Sequence, residues 1–165
     1  MKILKYPNRS LTTPTIEIDF NDLGDSDVPS LVETMKLMLA EQHNGLALAA
    51  NQVGLPWKLF VVRSDFAAAN NIANVIVNPK YVGIEDEVAD REGCLSFPGV
   101  NLLISRYAAI ACSYFNMQGE QFSCQLNGLV ARMFQHECEH LEGKLFTDNV
   151  DRITRYQVYG VMRKR

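Results

Sequence analysis

Two of the three histidines in the chain, His136 and His140, are four residues apart in a segment with helical periodicity. At that spacing both imidazoles lie on one helix face and can reach one cation. Glu137, beside the first histidine, can lean over that cation and take a proton from a bound water. The side that leads into the histidines is apolar, with Leu126, Leu129, Val130 and Met133. Because buried imidazoles need partners, the pattern favours a metal site over a solvated acidic face.

A catalytic metal site needs a third protein ligand and an open position for water or substrate. Metzincin peptidases supply that ligand as a histidine six residues after the second histidine of the pair. This chain has Phe146 there, which excludes that arrangement although Gly143 is in place. The remaining histidine, His43, stands at the end of a predicted helix. A structural role is favoured for it, because a cation stabilises a helix C-terminus.

Cysteine thiolates are the other candidate ligands, and the chain has four: Cys94, Cys112, Cys124 and Cys138. Cys138 lies two residues after His136, about 200° around the helix, and is expected to point away from the metal. Cys112 and Cys124 stand inside strand-like runs. Cys94 follows a glutamate and a glycine in a distinctive stretch and is the favoured third ligand, although spacing alone does not decide the choice.

The order of predicted elements points to an α+β fold with antiparallel sheets. Helices are predicted over residues 27–43, capped by Asp27 and ended by Asn44-Gly45, and over residues 128–141, with Gly143 as the C-terminal glycine. Predicted strands cover residues 57–63, 74–78, 81–88, 102–104, 108–115 and 121–126, and residues 3–14 are predicted as an extended arm. Strands that do not alternate with helices disfavour a parallel sheet.

Length and composition predict one globular domain over residues 1–165. A formal net charge of −3 gives no sign of nucleic-acid binding, and no apolar run approaches the ~20 residues that cross a bilayer. The opening MKILKYPN lacks the apolar core of a signal peptide. We therefore expect a cytoplasmic protein with reduced cysteines, in which Cys112 and Cys124 face each other across a hairpin as core thiols.

Three segments together resemble the signature motifs of peptide deformylases. Residues 45–52 (GLALAANQ) match the family pattern GxGxAAxQ at all but one position, residues 92–96 are EGCLS, and residues 136–143 contain HExxH followed by LxG. With weaker similarities between them, the resemblance covers residues 3–148. Three motifs in register are far more specific than the histidine pair alone.

The resemblance implies a peptide deformylase-like fold, with the sheets around the HExxH helix and an additional N-terminal helix. It also implies a hydrolase that removes the formyl group from formylmethionine on newly made polypeptides. In this interpretation Cys94, His136 and His140 hold one divalent metal ion, most often Fe²⁺ in the cell, with Zn²⁺, Ni²⁺ or Co²⁺ as substitutes. Glu137 is the acid/base, and the Gln52 side-chain amide and the Leu95 backbone N–H bind the oxyanion.

The same resemblance assigns supporting and substrate-binding residues. Glu92 and Arg106 are expected to support the cysteine motif as a charge pair. The substrate cleft is expected to be walled by apolar and small residues, among them Leu46, Ala47, Gly93, Leu129 and Met133. Formylated nascent peptides are the expected partners, without direct binding to nucleic acid or membrane.

Two departures from the family pattern stand out. Ala47 replaces the second glycine of the first motif, and its methyl group either narrows the cleft or is tolerated by the local backbone. Few residues follow Gly143, so only a short terminal element is expected over residues 156–162, which weakens the case for ribosome docking. Two alternatives stay open: a catalytically weak relative that binds formylated chains, and an HExxH metallopeptidase.

Overall fold

The helix with the histidine pair, which we call α3, runs Gly128–Leu141 in the computed structural model of the protein. The structure describes residues 1–21 and 27–164. Gly128 has a positive φ and nothing within 4 Å of where a Cβ would lie, so α3 begins at a turn that glycine adopts without strain. The predicted span of α3 is confirmed.

The described residues form seven strands and three helices besides α3. The strands are β1 (Ala47–Ala49), β2 (Leu59–Val62), β3 (Val75–Gly83), β4 (Glu87–Cys94), β5 (Phe97–Tyr107), β6 (Ala109–Phe115) and β7 (Gln121–Asn127). The helices are α1 (Val28–Ala40), α2 (Ser64–Ala69) and α4 (Arg152–Met162), with short 3-10 turns at Arg9–Thr12, Ala50–Val53 and Phe146–Asn149.

The strands form two antiparallel sheets, as the α+β prediction required. One sheet has the order β1-β2-β3-β6-β7, and the other is the hairpin of β4 and β5. α3 contacts β1 and β7 of the larger sheet and β5 of the smaller one, so it lies between them. Its side chains from Val130 to Cys138 are all buried. This position, which the resemblance implied, removes the histidine pair from bulk water.

Several element predictions were wrong in extent or type, among them the strand predicted over residues 102–104, which is the longer β5. The first helix ends at Ala40 and not at residue 43, and the side chain of Asp27 makes no capping hydrogen bond. The predicted strand 81–88 is divided, because the chain leaves β3 at Gly83 and begins the separate strand β4 at Glu87. The opening arm contains one 3-10 turn, Arg9–Thr12, in which the Ser10 amide donates a hydrogen bond to the Asn8 side chain.

The terminal element is longer than predicted. α4 has 11 residues, and the Asp151 carboxylate accepts hydrogen bonds from the amides of Ile153 and Thr154 at its start. Its buried residues, Val158 and Met162, pack into a core cluster with residues of β5. In the described part of the chain, no helix is both long and apolar enough to cross a bilayer.

Candidate metal centre

Three ligand atoms converge where β4 ends against α3. One atom each from Cys94, His136 and His140 lies within 4.8 Å of the others. The sulfur of Cys94 is 3.2 Å from Nε2 of His140, and the centroids of the two imidazole rings are 4.9 Å apart. The pair spaced one turn apart on α3 and the cysteine from the strand thus form one cluster.

The chemistry of this donor set fits a divalent transition metal. One thiolate and two imidazoles are soft to borderline ligands that suit Fe²⁺, Zn²⁺, Ni²⁺ or Co²⁺. The Nδ1 atom of His136 is 3.0 Å from Glu92 Oε2, which leaves Nε2 for the metal, as in most histidine ligands with a carboxylate partner. Nδ1 of His140 and Oε2 of Glu137 are buried without a hydrogen-bond partner among the described residues.

A buried network of charges fixes the first of these imidazoles. Arg106 donates to both oxygens of Glu92, at 2.6 and 3.0 Å, and Arg132 donates to the same carboxylate at 2.7 Å. Arg106 also donates to Glu139 at 3.0 Å. Burial acts to raise the pKa of Glu92, but hydrogen bonds from His136 and Arg106 outweigh it and lower that pKa to about 2. The carboxylate therefore stays charged behind the imidazole.

The predicted pair of Glu92 and Arg106 is thus present, but it is buried within a larger network. Sequence reasoning missed Arg132 and Glu139. Arg132 lies four residues before His136 on α3, so helical spacing could have placed it on the metal side of the helix. Glu139 had no comparable signal, because its partner Arg106 is 33 residues away in β5.

Glu137 and Gln52 both line the cleft that leads to the cluster. Glu137 is buried at the edge of the cleft, and burial raises the pKa of its carboxyl group to about 7. The Gln52 Oε1 atom accepts a hydrogen bond from the Ala49 amide at 2.9 Å, which turns Nε2 toward the cluster. That nitrogen is 3.6 Å from Cys94 Sγ and 3.1 Å from Oγ of Ser96, a contact that sequence analysis missed.

An open cleft of about 610 Å³ leads from the surface to the cluster. All five residues predicted to wall it line it: Leu46, Ala47, Gly93, Leu129 and Met133. Leu129 is 57% exposed, as an apolar wall of an open cleft would be. Leu95 lines the cleft too, and its carbonyl accepts a hydrogen bond from Lys5 at 2.5 Å. Lys5, at the cleft mouth, had no sequence signal.

The departure at Ala47 causes no backbone strain. Ala47 lies within the extended strand β1, and the described non-glycine residues with positive φ are Asn71 and Asn78. Its methyl group is buried at the cleft wall. A Cβ at Gly45, two residues earlier, would lie 2.9 Å from Cδ1 of Leu39, so that side chain would have to shift. The second glycine position therefore accommodates alanine as it stands, whereas alanine at the first would require neighbouring side chains to move.

The remaining histidine and cysteines lie away from the cluster. Cys138 is buried in the core between α3 and the larger sheet, as its helical position predicted. His43 is exposed in the loop after α1. Cys112 and Cys124 face each other on β6 and β7 as free thiols, also as predicted.

Comparisons with known proteins agree with this geometry. The family model described as polypeptide deformylase matches residues 1–156. The chain belongs to the peptide deformylase family. Peptide deformylase 2 of Xanthomonas axonopodis pv. citri is 33% identical over 165 residues, which is all of this chain and 95% of that protein. The Aquifex aeolicus peptide deformylase is 35% identical over 149 residues, 90% of this chain and 86% of that protein.

Solved structures of peptide deformylases have the same fold. The enzyme from Ehrlichia chaffeensis in complex with actinonin superimposes with a TM-score of 0.86 at 29% identity, covering 99% of this chain and 96% of that one. The peptide deformylase from Legionella pneumophila gives 0.85 at 29% identity, covering 99% and 93%. The family assignment made from three motifs is therefore confirmed along the whole chain.

Proposed function

We propose that this protein hydrolyses the formyl group from formylmethionine at the N-terminus of newly made polypeptides and releases formate. The observation that carries the proposal is the cluster of Cys94, His136 and His140 at the base of an open cleft, with the buried carboxyl group of Glu137 beside it. Membership in the peptide deformylase family supports the same reaction.

The proposed cofactor is one divalent metal ion, Fe²⁺ in the cell, with Zn²⁺, Ni²⁺ or Co²⁺ able to replace it. Cys94, His136 and His140 would hold it, leaving a fourth position open. The ion would supply Lewis acidity, which lowers the pKa of water and polarises the formyl carbonyl. The hydrogen bond between Glu92 and His136 keeps that imidazole oriented toward the ion.

Glu137 is the proposed acid and base. Its carboxylate accepts a proton from the attacking water and then donates one to the amine nitrogen of methionine as the C–N bond breaks. Burial of this carboxyl group keeps competing water away, and its Oε2 atom has no partner among the described residues that would hold it elsewhere. The Glu137 carboxyl group is therefore free to move the proton from the water oxygen to the amine nitrogen.

Gln52 and Leu95 are the proposed donors to the oxyanion of the tetrahedral intermediate. The Gln52 amide is already held toward the cluster by its bond from Ala49, so it needs no reorganisation during the reaction. Leu95 follows the cysteine ligand directly, and Lys5 holds its carbonyl in place at the cleft mouth. Hydrogen-bond donors that are fixed in advance stabilise the oxyanion more than donors that must first reorganise, as water does.

The cleft wall explains a preference for formylmethionine. The methionine side chain would lie against Leu46, Leu129 and Met133, which provide an apolar surface. A formyl group carries only hydrogen beyond its carbonyl, so crowding beside the cluster would admit it and reject larger acyl groups. The methyl group of Ala47 would add to that crowding.

The substrate comes from the ribosome, and we propose that the enzyme works in the cytoplasm and meets it there. α4 presents exposed apolar side chains, Ile153, Tyr156 and Val161, and the exposed basic residues Arg163 and Lys164 follow its last residue. A weak, salt-sensitive contact with ribosomes is expected from this surface. Co-sedimentation with ribosomes at low and high salt tests it. If Tyr156→Glu sediments with ribosomes as much as wild type does, this surface does not make the contact. The proposed chemistry would be unaffected by that result.

The activity is tested by formate release from formyl-Met-Ala-Ser. Protein purified without oxygen and loaded with Fe²⁺ should release formate, and Glu137→Ala should retain the metal while losing activity by ~10²–10⁴-fold. Absence of formate with the metal-loaded protein would refute the proposal. Cleavage of internal peptide bonds in the same reaction would indicate a metallopeptidase, and binding of the peptide without turnover would indicate a non-catalytic relative.

A further inference from the structure

A pair of thiols outside the cleft has no part in the reaction proposed above. Cys112 on β6 stands directly opposite Cys124 on β7 in the antiparallel register. Their sulfur atoms are 3.5 Å apart, although the residues are 12 positions apart in the chain. Both are free thiols. Because the two sulfur atoms are already in contact across neighbouring strands, a small rotation of the side chains would bring them to bonding distance.

The position of the pair is independent of the metal centre. Cys112 is buried in the core cluster beneath α3, whereas Cys124 is only half-buried at the edge strand of the larger sheet. Neither residue lines the cleft. A reagent from solvent can therefore reach Cys124 without passing the metal ligands, whereas Cys112 is buried.

We propose that Cys112 and Cys124 are a modification site that forms a reversible disulfide with small disulfides of the oxidised glutathione class. The thiolate of Cys124 attacks one sulfur of the small disulfide, giving a mixed disulfide and one small thiolate. Cys112 then attacks the Cys124 sulfur, giving the protein disulfide and a second small thiolate. The two small thiolates take up the two protons that the cysteines lose, so two protein thiols are oxidised and one small disulfide is reduced.

The order of the two steps follows from the surroundings of each sulfur. Burial and the neighbouring Cys124 thiol raise the pKa of Cys112 to about 12, so Cys112 stays protonated while Cys124 is free. Once Cys124 is part of the mixed disulfide, its thiol no longer raises the pKa of Cys112, and burial is the cause that remains. The second attack is therefore easier than it would be beside a free Cys124 thiol.

The strand geometry tolerates the bond. Directly opposed residues of an antiparallel pair have Cβ atoms about 4.5–5.5 Å apart, close to the ~3.5–4.5 Å found in disulfides. The bond would join the edge strand β7 to β6 just before α3 begins at Gly128. It would restrict the unfolded chain and raise the unfolding temperature, with no effect on the cleft.

The test uses protein loaded with Zn²⁺, which has no redox chemistry and shields Cys94. After incubation with oxidised glutathione, wild type should lose two free thiols, show a cross-link between the peptides containing Cys112 and Cys124, unfold at a higher temperature, and revert with dithiothreitol. Glutathione that remains on Cys124, or thiol loss at Cys94 or Cys138 with the pair intact, would overturn the proposal.

Single variants separate the two steps. Cys112→Ser should stop at one glutathione attached to Cys124, and Cys124→Ser should take up none. Cys138→Ser, which changes a buried thiol of the same core cluster, should react like wild type. A cross-link that persists in Cys124→Ser would show that another cysteine is the partner. None of these measurements depends on formate release, so they stand apart from the activity assay.

Discussion

The floor of the site and the wall of the cleft are built in opposite ways. The floor is a set of buried charges, Glu92, Arg106 and Arg132, each bonded to at least one other and together orienting His136. The wall is made of apolar side chains such as Leu129, which is largely exposed and therefore little involved in core packing. Changes in the floor should therefore damage fold and chemistry together, whereas changes in the wall should alter substrate binding alone.

The largest effect is expected from removing the carboxylate at the centre of the floor. Glu92→Ala leaves two buried guanidinium groups without their shared partner, which typically costs about 3–5 kcal/mol of unfolding free energy. Urea denaturation of the metal-free protein measures it. Glu33→Ala breaks the exposed pair with Lys36, 2.7 Å long, and should cost less than ~1 kcal/mol. Similar losses in both variants would show that the floor is not a stabilising network.

The second effect concerns the amide held toward the metal cluster. Gln52→Ala should lower kcat by ~10²–10³-fold, because one oxyanion donor is lost, while the metal content stays at the wild-type value. Gln42→Ala, at the rim of the same cleft, is the matched control and should leave kcat nearly unchanged. A fall in metal content parallel to the fall in kcat would mean that Gln52 supports the ligands and does not stabilise the oxyanion.

The smallest effect is expected at the wall. Ala47→Gly removes one methyl group from the cleft and should change KM for formyl-Met-Ala-Ser by less than ~10-fold, with metal content unaffected. Ala49→Gly changes a buried alanine of the same strand that does not line the cleft, so it controls for the flexibility that glycine adds to β1. Identical kinetics for both variants would show that the alanine at position 47, where the family pattern has glycine, does not affect substrate binding.

The difference between floor and wall also explains what could be predicted from the sequence. α3 was predicted over its full length, because its periodicity, its terminal glycines and its ligand spacing all indicate one helix. Cys94 could be assigned only when the EGCLS segment stood in register with two other motifs. The resemblance implied the pair of Glu92 and Arg106 behind it, but Arg132 was missed, because it reaches Glu92 across 40 positions of chain.

Two of the strands that were missed depend on tertiary contacts. β4 is almost wholly exposed and rich in charge, so it lacks the alternation that marks a half-buried strand. β1 is three residues long and is held in place by pairing with β2. α4, by contrast, could have been predicted to begin near residue 152, because Asp151 is a favourable N-cap residue. The prediction of a short terminal element did not use that residue.

The central claim is that Cys94, with the two histidines, holds the catalytic metal. It is tested most directly by measuring the metal bound per chain in wild type, Cys94→Ala and Cys138→Ala after identical loading, with circular dichroism to confirm folding. Since losing only a supporting partner of a ligand costs ~10–100-fold in affinity, Cys94→Ala should bind more than ~100-fold more weakly. Cys138→Ala should stay close to wild type. Equal loss of metal in both variants would contradict the assignment.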